Sequence, residues 1–164
     1  MSIRKLVAVF LLNLALCITS TSVFATVVLP ADFDTVVQGS QTIAHGRVID
    51  VRSFTTAPGG HIESVVTLSV IDAIKGVTGP TLSFRVPYGQ VGRYRRVMVG
   101  APEFVAGDDV VVFLEGSAPQ LPTVFGLSQG VYRVRRDADA RAFVAQIPLD
   151  AFVHQVRLAS ERAR

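Results

Sequence analysis

The chain has 164 residues, 49% of them hydrophobic, no tryptophan and a formal net charge of +3. That length suits one domain with a real core. The near-even balance of charges argues against a nucleic-acid-binding surface, and it becomes more even once the amino terminus is considered.

Arg4 and Lys5 precede an apolar run from Leu6 to Leu12, which resumes after Asn13 and continues through Leu14 to Ile18. A positive start followed by a short apolar core is the pattern of a secretory signal. Val23-Phe24-Ala25 offers small or medium residues, Val23 and Ala25, at the two positions a signal peptidase reads, which predicts cleavage after Ala25. Residues 1–25 are therefore expected to be a signal peptide and residues 26–164 a single β-barrel domain. Removing 25 residues from 164 leaves 139, and removing Arg4 and Lys5 from 16 basic residues leaves 14 against 13 acidic ones. The apolar core is too short for a comfortable membrane span. The expected destination is the periplasm or the medium, with no stable membrane span after cleavage. A lipid anchor on Cys17 is disfavoured by the bulky Leu16 before it. Because Cys17 is the only cysteine, the processed chain is expected to rely on packing and backbone pairing rather than disulfides.

Pro30 to Gly39 predicts a short helix, with Pro30 and Asp32 at its start, Gly39 at its end, and Phe33, Val36 and Val37 as its apolar stripe. Thr42 to Phe54 predicts a first strand whose alternation breaks near Gly46, where a bulge or bend is expected. Thr55 to Gly60 then reads as a turn, with Pro58 fixing φ. Ile62 to Gly76 is the longest strand signal in the chain, rich in β-branched residues and wet on one face. A turn over Val77 to Pro80 leads to a third strand, Thr81 to Pro87. Tyr88 to Arg96 reads as an irregular exposed loop. Val110 to Leu114 is an unbroken apolar run, which predicts a fourth strand buried on both faces. Thr123 to Phe125 predicts a short edge strand. Val131 to Arg136 and Arg141 to Ala145 predict a closing hairpin around Asp137 to Ala140. Pro148 to Arg162 predicts a final helix with Leu149, Phe152, Val153 and Val156 on one side. The whole predicts a mainly β protein: an OB-like five-stranded barrel with a short N-terminal helix and a C-terminal helix.

Gly126-Leu127-Ser128-Gln129-Gly130 matches the nucleophile-elbow pattern, and Asp139, Asp150 and His154 follow it in the order used by serine hydrolases. The elbow works by exposing its serine between a strand and a helix, whereas here the strand-like Val131 to Val134 follows. A glycine-rich turn is the simpler reading, and a secreted serine hydrolase using Ser128 is the alternative. His45, His61 and His154 have no metal-ligand spacing, which predicts three unrelated surface or half-buried histidines and no metal or other cofactor. Asp137 and Asp139 lack the remaining oxygens of a calcium loop.

Two clusters offer forked donors beside aromatic rings: Arg93, Arg95 and Arg96 with Tyr88 and Tyr94, and Arg133 and Arg135 with Arg136. These are the candidate ligand-binding residues, suited to an unknown protein, a glycan or another anionic ligand. Export and a near-neutral charge disfavour nucleic acid.

The order Ile43-Ala44-His45-Gly46-Arg47-Val48, then Val-Thr-Leu-Ser-Val ending in Ile74-Lys75-Gly76, then Gly107 to Leu114, resembles that of uncharacterised exported bacterial proteins. More distantly it resembles the netrin-like domain of tissue inhibitors of metalloproteinases. The resemblance runs from about Ser40 to Val134 and implies an OB-type barrel and a binding role. It does not extend to the inhibitors' metal-gripping amino terminus, which is a disulfide-bonded cysteine. The expected function is an exported, non-enzymatic binding or interaction module.

Overall fold

Two long strands, β1 (Thr42–Thr55) and β2 (Ile62–Lys75), pair antiparallel along their length and organise the protein. The structure is a computed structural model describing residues 31–56, 60–76 and 79–162. The expected signal peptide with its cleavage site, Pro30, and parts of both predicted turns (57–59 and 77–78) lie outside the described residues.

The elements follow as α1 (Phe33–Gly39), β1, β2, β3 (Thr81–Val86), β4 (Gly89–Val91), β5 (Tyr94–Arg96), β6 (Asp109–Glu115), β7 (Thr123–Val124), β8 (Val131–Arg136), β9 (Ala142–Val144), β10 (Ile147–Pro148) and α2 (Leu149–Glu161). β1 pairs with β2, β2 with β3, β3 with β7, β7 with β6, and β6 returns to β1. These five strands close a barrel in which β3 and β7 are parallel and the other neighbours antiparallel. This is the five-stranded OB-type arrangement. β8, β9 and β10 extend the sheet outward from β6.

Burial follows from the pleat. On β6, Val110, Val112 and Leu114 face the barrel interior with Val48, Val66, Leu68, Phe84 and Val86. Val111 and Phe113 face the opposite way, into a second core with Val36, Val37, Ile43, Phe152 and Val156 from α1, β1 and α2. That double burial is why β6 reads as a continuous apolar run. Each fully buried Val or Phe contributes about 1.5–3 kcal/mol relative to exposure. The two helices cover one flank of the barrel, with the Phe33 and Phe152 rings edge to face at 5.8 Å between centroids. Asp32 caps α1 by accepting the Thr35 N–H at 2.7 Å, and this bond holds its carboxyl below the usual range.

The bend expected near Gly46 is present as register shifts in the β1–β2 ladder, one of them between His45 and Gly46. Gly46 is needed for close approach: a Cβ there would lie 2.5 Å from the Ser69 carbonyl oxygen.

Three expectations are corrected. Tyr88 to Arg96 is a two-stranded hairpin, not an irregular loop. Its tight turn is set by Gly92 at φ +58°, as first central residue of a two-residue connection. Thr123–Val124 is no edge strand, since it bonds β3 on one side and β6 on the other and completes the barrel. His45 is neither a surface nor a half-buried residue: it is 6% exposed, and its ring is held by Asp109.

Among the described residues, no helix is long and apolar enough to cross a membrane.

Candidate functional site

The β4–β5 hairpin follows β3 and is fastened to the barrel at its base. Ser64, fully buried on β2, donates its hydroxyl to the Tyr88 carbonyl at 2.7 Å, and its Oγ lies 2.9 Å from that of Ser53 on β1. The Gln90 N–H donates to Ser53 Oγ at 3.1 Å. Tyr88 itself points inward: its hydroxyl accepts the Phe104 N–H at 2.6 Å, and burial pushes its pKa up. Tyr88 thus ties the hairpin to the following segment rather than standing free on the surface.

Beyond that base, Tyr94, Arg95 and Arg96 line a cleft of about 610 Å³ with Thr55, His61 and Ile62 at the β1–β2 end. Arg93 lies over the Tyr94 ring at 5.1 Å from its centroid and donates to the Tyr94 hydroxyl at 2.9 Å. Arg96 donates to the Ile62 carbonyl at 3.3 Å, which joins hairpin and barrel across the cleft. Arg95 is paired with Glu103 at 3.1 Å, both side chains about 60% exposed (60% and 62%). Exposed pairs of this kind contribute only about 0–1 kcal/mol, so a ligand carboxylate can replace Glu103 at little cost.

The second arginine cluster joins the first through Glu103. Arg133, on β8, donates to the Glu103 carbonyl and to Asp108 Oδ2, the latter at 2.7 Å. Asp108 Oδ2 also accepts the Val105 N–H at 3.1 Å. Arg133 is therefore a strut that fixes the 103–108 segment. Arg135 makes no ion pair among the described residues, and with Arg133, Phe143 and Gln146 it lines a separate hollow. Arg136 is occupied by Asp109 at 2.9 Å.

The hydrolase constellation is not assembled by hydrogen bonds. Ser128 sits exposed on the turn between β7 and β8, where Gly126 and Leu127 both adopt positive φ and a strand follows. His154 and Asp150 are exposed on α2. Asp139 pairs with Arg141 at 3.0 Å in the β8–β9 turn. Among the described residues no hydrogen bond joins Ser128, His154, Asp150 and Asp139 to one another. Nor does any group of three His, Cys, Asp or Glu side chains among them form a metal-binding cluster.

Sequence reading misses the most enclosed ion pair among the described residues. His45 on β1 stands opposite Val111 of β6, two positions from Asp109, so the two side chains are diagonal neighbours on one face. Asp109 Oδ1 lies 2.7 Å from His45 Nε2, and its Oδ2 accepts from Arg136. An ionised carboxylate only accepts, which makes Nε2 the donor. The available signal was a histidine and an aspartate on strands expected to be neighbours in the barrel, and register could not be read without the bulge at Gly46. Glu103, the link between the arginine clusters, carries no sequence signal.

No protein-family model, curated protein or solved structure matches the chain.

Proposed function

We propose that this protein is an exported, non-enzymatic binding module that grips an acidic partner on the arginine face of the β4–β5 hairpin. One observation carries the reading: Tyr94, Arg95 and Arg96 line one cleft at the end of the β1–β2 pair where Thr55 meets Ile62, with Arg93 stacked on Tyr94 beside it. Planar guanidiniums offer paired N–H donors that match a carboxylate or sulfate, and a flat ring adds contact area at low entropic cost. OB-type barrels commonly bind ligands at the loop joining their first two strands, which is the end occupied by this cleft. That support is fold-level analogy. Export, expected from residues 1–25, places the partner in the periplasm or outside the cell.

In this account Arg93, Tyr94, Arg95 and Arg96 contact the ligand, Tyr88 and Arg133 hold the segments beneath them, and Arg135 extends the basic surface. Titration of ¹⁵N-labelled protein with hexaglutamate at low salt tests it. Saturable shifts at residues 93–96 that vanish in the Arg93→Ser, Arg95→Ser, Arg96→Ser triple variant are expected. Shifts centred elsewhere, or unchanged in the variant, would sink the proposal.

A further inference from the structure

A second cleft lies away from the arginine face, in the space bounded by β2, the β9 region and α2. It encloses about 850 Å³, within the range of small-molecule sites, and Ile71, Phe143, Leu149 and Val153 give it apolar walls. Ile71 is 58% exposed, a large aliphatic side chain left uncovered at the cleft.

Its polar groups select the kind of ligand. The arginines of the lining are already occupied. Arg157 donates to both oxygens of Asp72, at 3.0 and 2.9 Å. Arg141 is held by Asp137 at 2.8 Å and Asp139 at 3.0 Å. Each of these arginines is held by two contacts, against the single Arg95–Glu103 contact of the hairpin, so an anion entering here has more to displace. Asp150, on the first turn of α2, is exposed and makes no ion pair or hydrogen bond to any described residue. His45 is the single buried polar residue of the lining, 6% exposed. Its Nε2 is committed to Asp109, and its Nδ1 has no hydrogen-bond partner among the described residues. The cleft therefore offers apolar walls, the edge of the His45 ring and one unspent negative charge.

We propose that this cleft is a binding site for a small organic ammonium compound with an apolar body. The body covers Ile71 and Phe143, and the ammonium donates to the Asp150 carboxylate. The arginine face plays no part, so this site stands or falls independently of the one above.

The probe is phenethylammonium chloride, titrated into the processed full-length chain labelled at isoleucine methyl groups and at the histidine rings. Saturable shifts of the Ile71 methyl and the His45 imidazole are expected. Asp150→Asn, an exposed substitution that leaves packing intact, should weaken binding about fivefold, the scale of one exposed ion pair. The isosteric anion 3-phenylpropionate should not bind. Asp150→Asn leaves the buried His45–Asp109 pair in place, so the fold is undisturbed in the variant. Absence of saturable shifts at Ile71 overturns the proposal. So does equal binding of 3-phenylpropionate, or an affinity unchanged in Asp150→Asn.

Discussion

Arg95 and Arg133, from two separate sheets, converge on one residue: Arg95 holds the Glu103 carboxylate at 3.1 Å while Arg133 donates to the Glu103 carbonyl. The backbone contact fixes the segment, and the exposed side-chain contact competes with any acidic ligand for Arg95. Glu103→Gln should therefore raise affinity for hexaglutamate by up to about fivefold while changing stability by less than about 1 kcal/mol. Parallel calorimetric titration and urea unfolding measure the two quantities.

The hairpin's attachment should be as important as its charges. A Cβ on Gly89 would lie 2.6 Å from both Ser53 Oγ and Ser64 Oγ, inside the hydrogen-bonded base of the hairpin. Gly89→Ala should cost about 1–3 kcal/mol, the usual penalty for overpacking. It should also weaken hexaglutamate binding, though no arginine has been touched. Denaturant midpoints and amide shifts of residues 89–96 report both effects.

The His45–Asp109 pair is expected to act in stability as a unit. Its side chains are 7% and 10% exposed, so Asp109→Ala would leave the buried His45 Nε2–H without its acceptor, while Arg136, 48% exposed, can turn to water. Each buried unsatisfied group costs about 1–3 kcal/mol. The double variant His45→Phe, Asp109→Ala should be less destabilised than the sum of the two single changes, because the second removes a group the first has already orphaned. Urea unfolding of the four proteins completes the cycle.

Alkaline pH should loosen the fold through two tyrosines. Burial raises the pKa of Tyr88 and of Tyr132 above the usual 10.0. A phenol with a raised folded-state pKa holds its proton more tightly when folded. Its contribution is thus complete below pH about 10 and is lost as pH rises through the folded-state value. Thermal midpoints should fall above pH about 10, and Tyr88→Phe should shrink that fall. Ultraviolet titration of phenolate absorbance should show one fewer late-ionising group in the variant.

Much of the barrel is readable from the sequence because its strands follow local rules. Ile62 to Lys75 alternates with the pleat at its start, and the Asp109 to Glu115 run is apolar on both faces because both are buried. Even the distortion near Gly46 shows as a break in alternation. What is not readable depends on partners distant in sequence. Thr123–Val124 is too short to announce that it bonds two strands. The Tyr88 to Arg96 hairpin rests on Gly92 and on two serines from other strands. The arginines are visible as clusters, yet their separate positions as ligand contact and strut depend on Glu103 and Asp108, which only the folded chain brings to them. His45 lacks a motif altogether, since its partner is 64 positions away.

The central claim, that the hairpin arginines face the partner, is tested most directly by affinity capture from the native secretome. Wild-type protein and the Arg93→Ser, Arg95→Ser, Arg96→Ser variant would be compared at matched folding and at low and moderate salt. The account predicts a defined acidic partner retained by the wild type, released as salt rises and missing from the variant. The same partners captured in equal amounts by both proteins would contradict it.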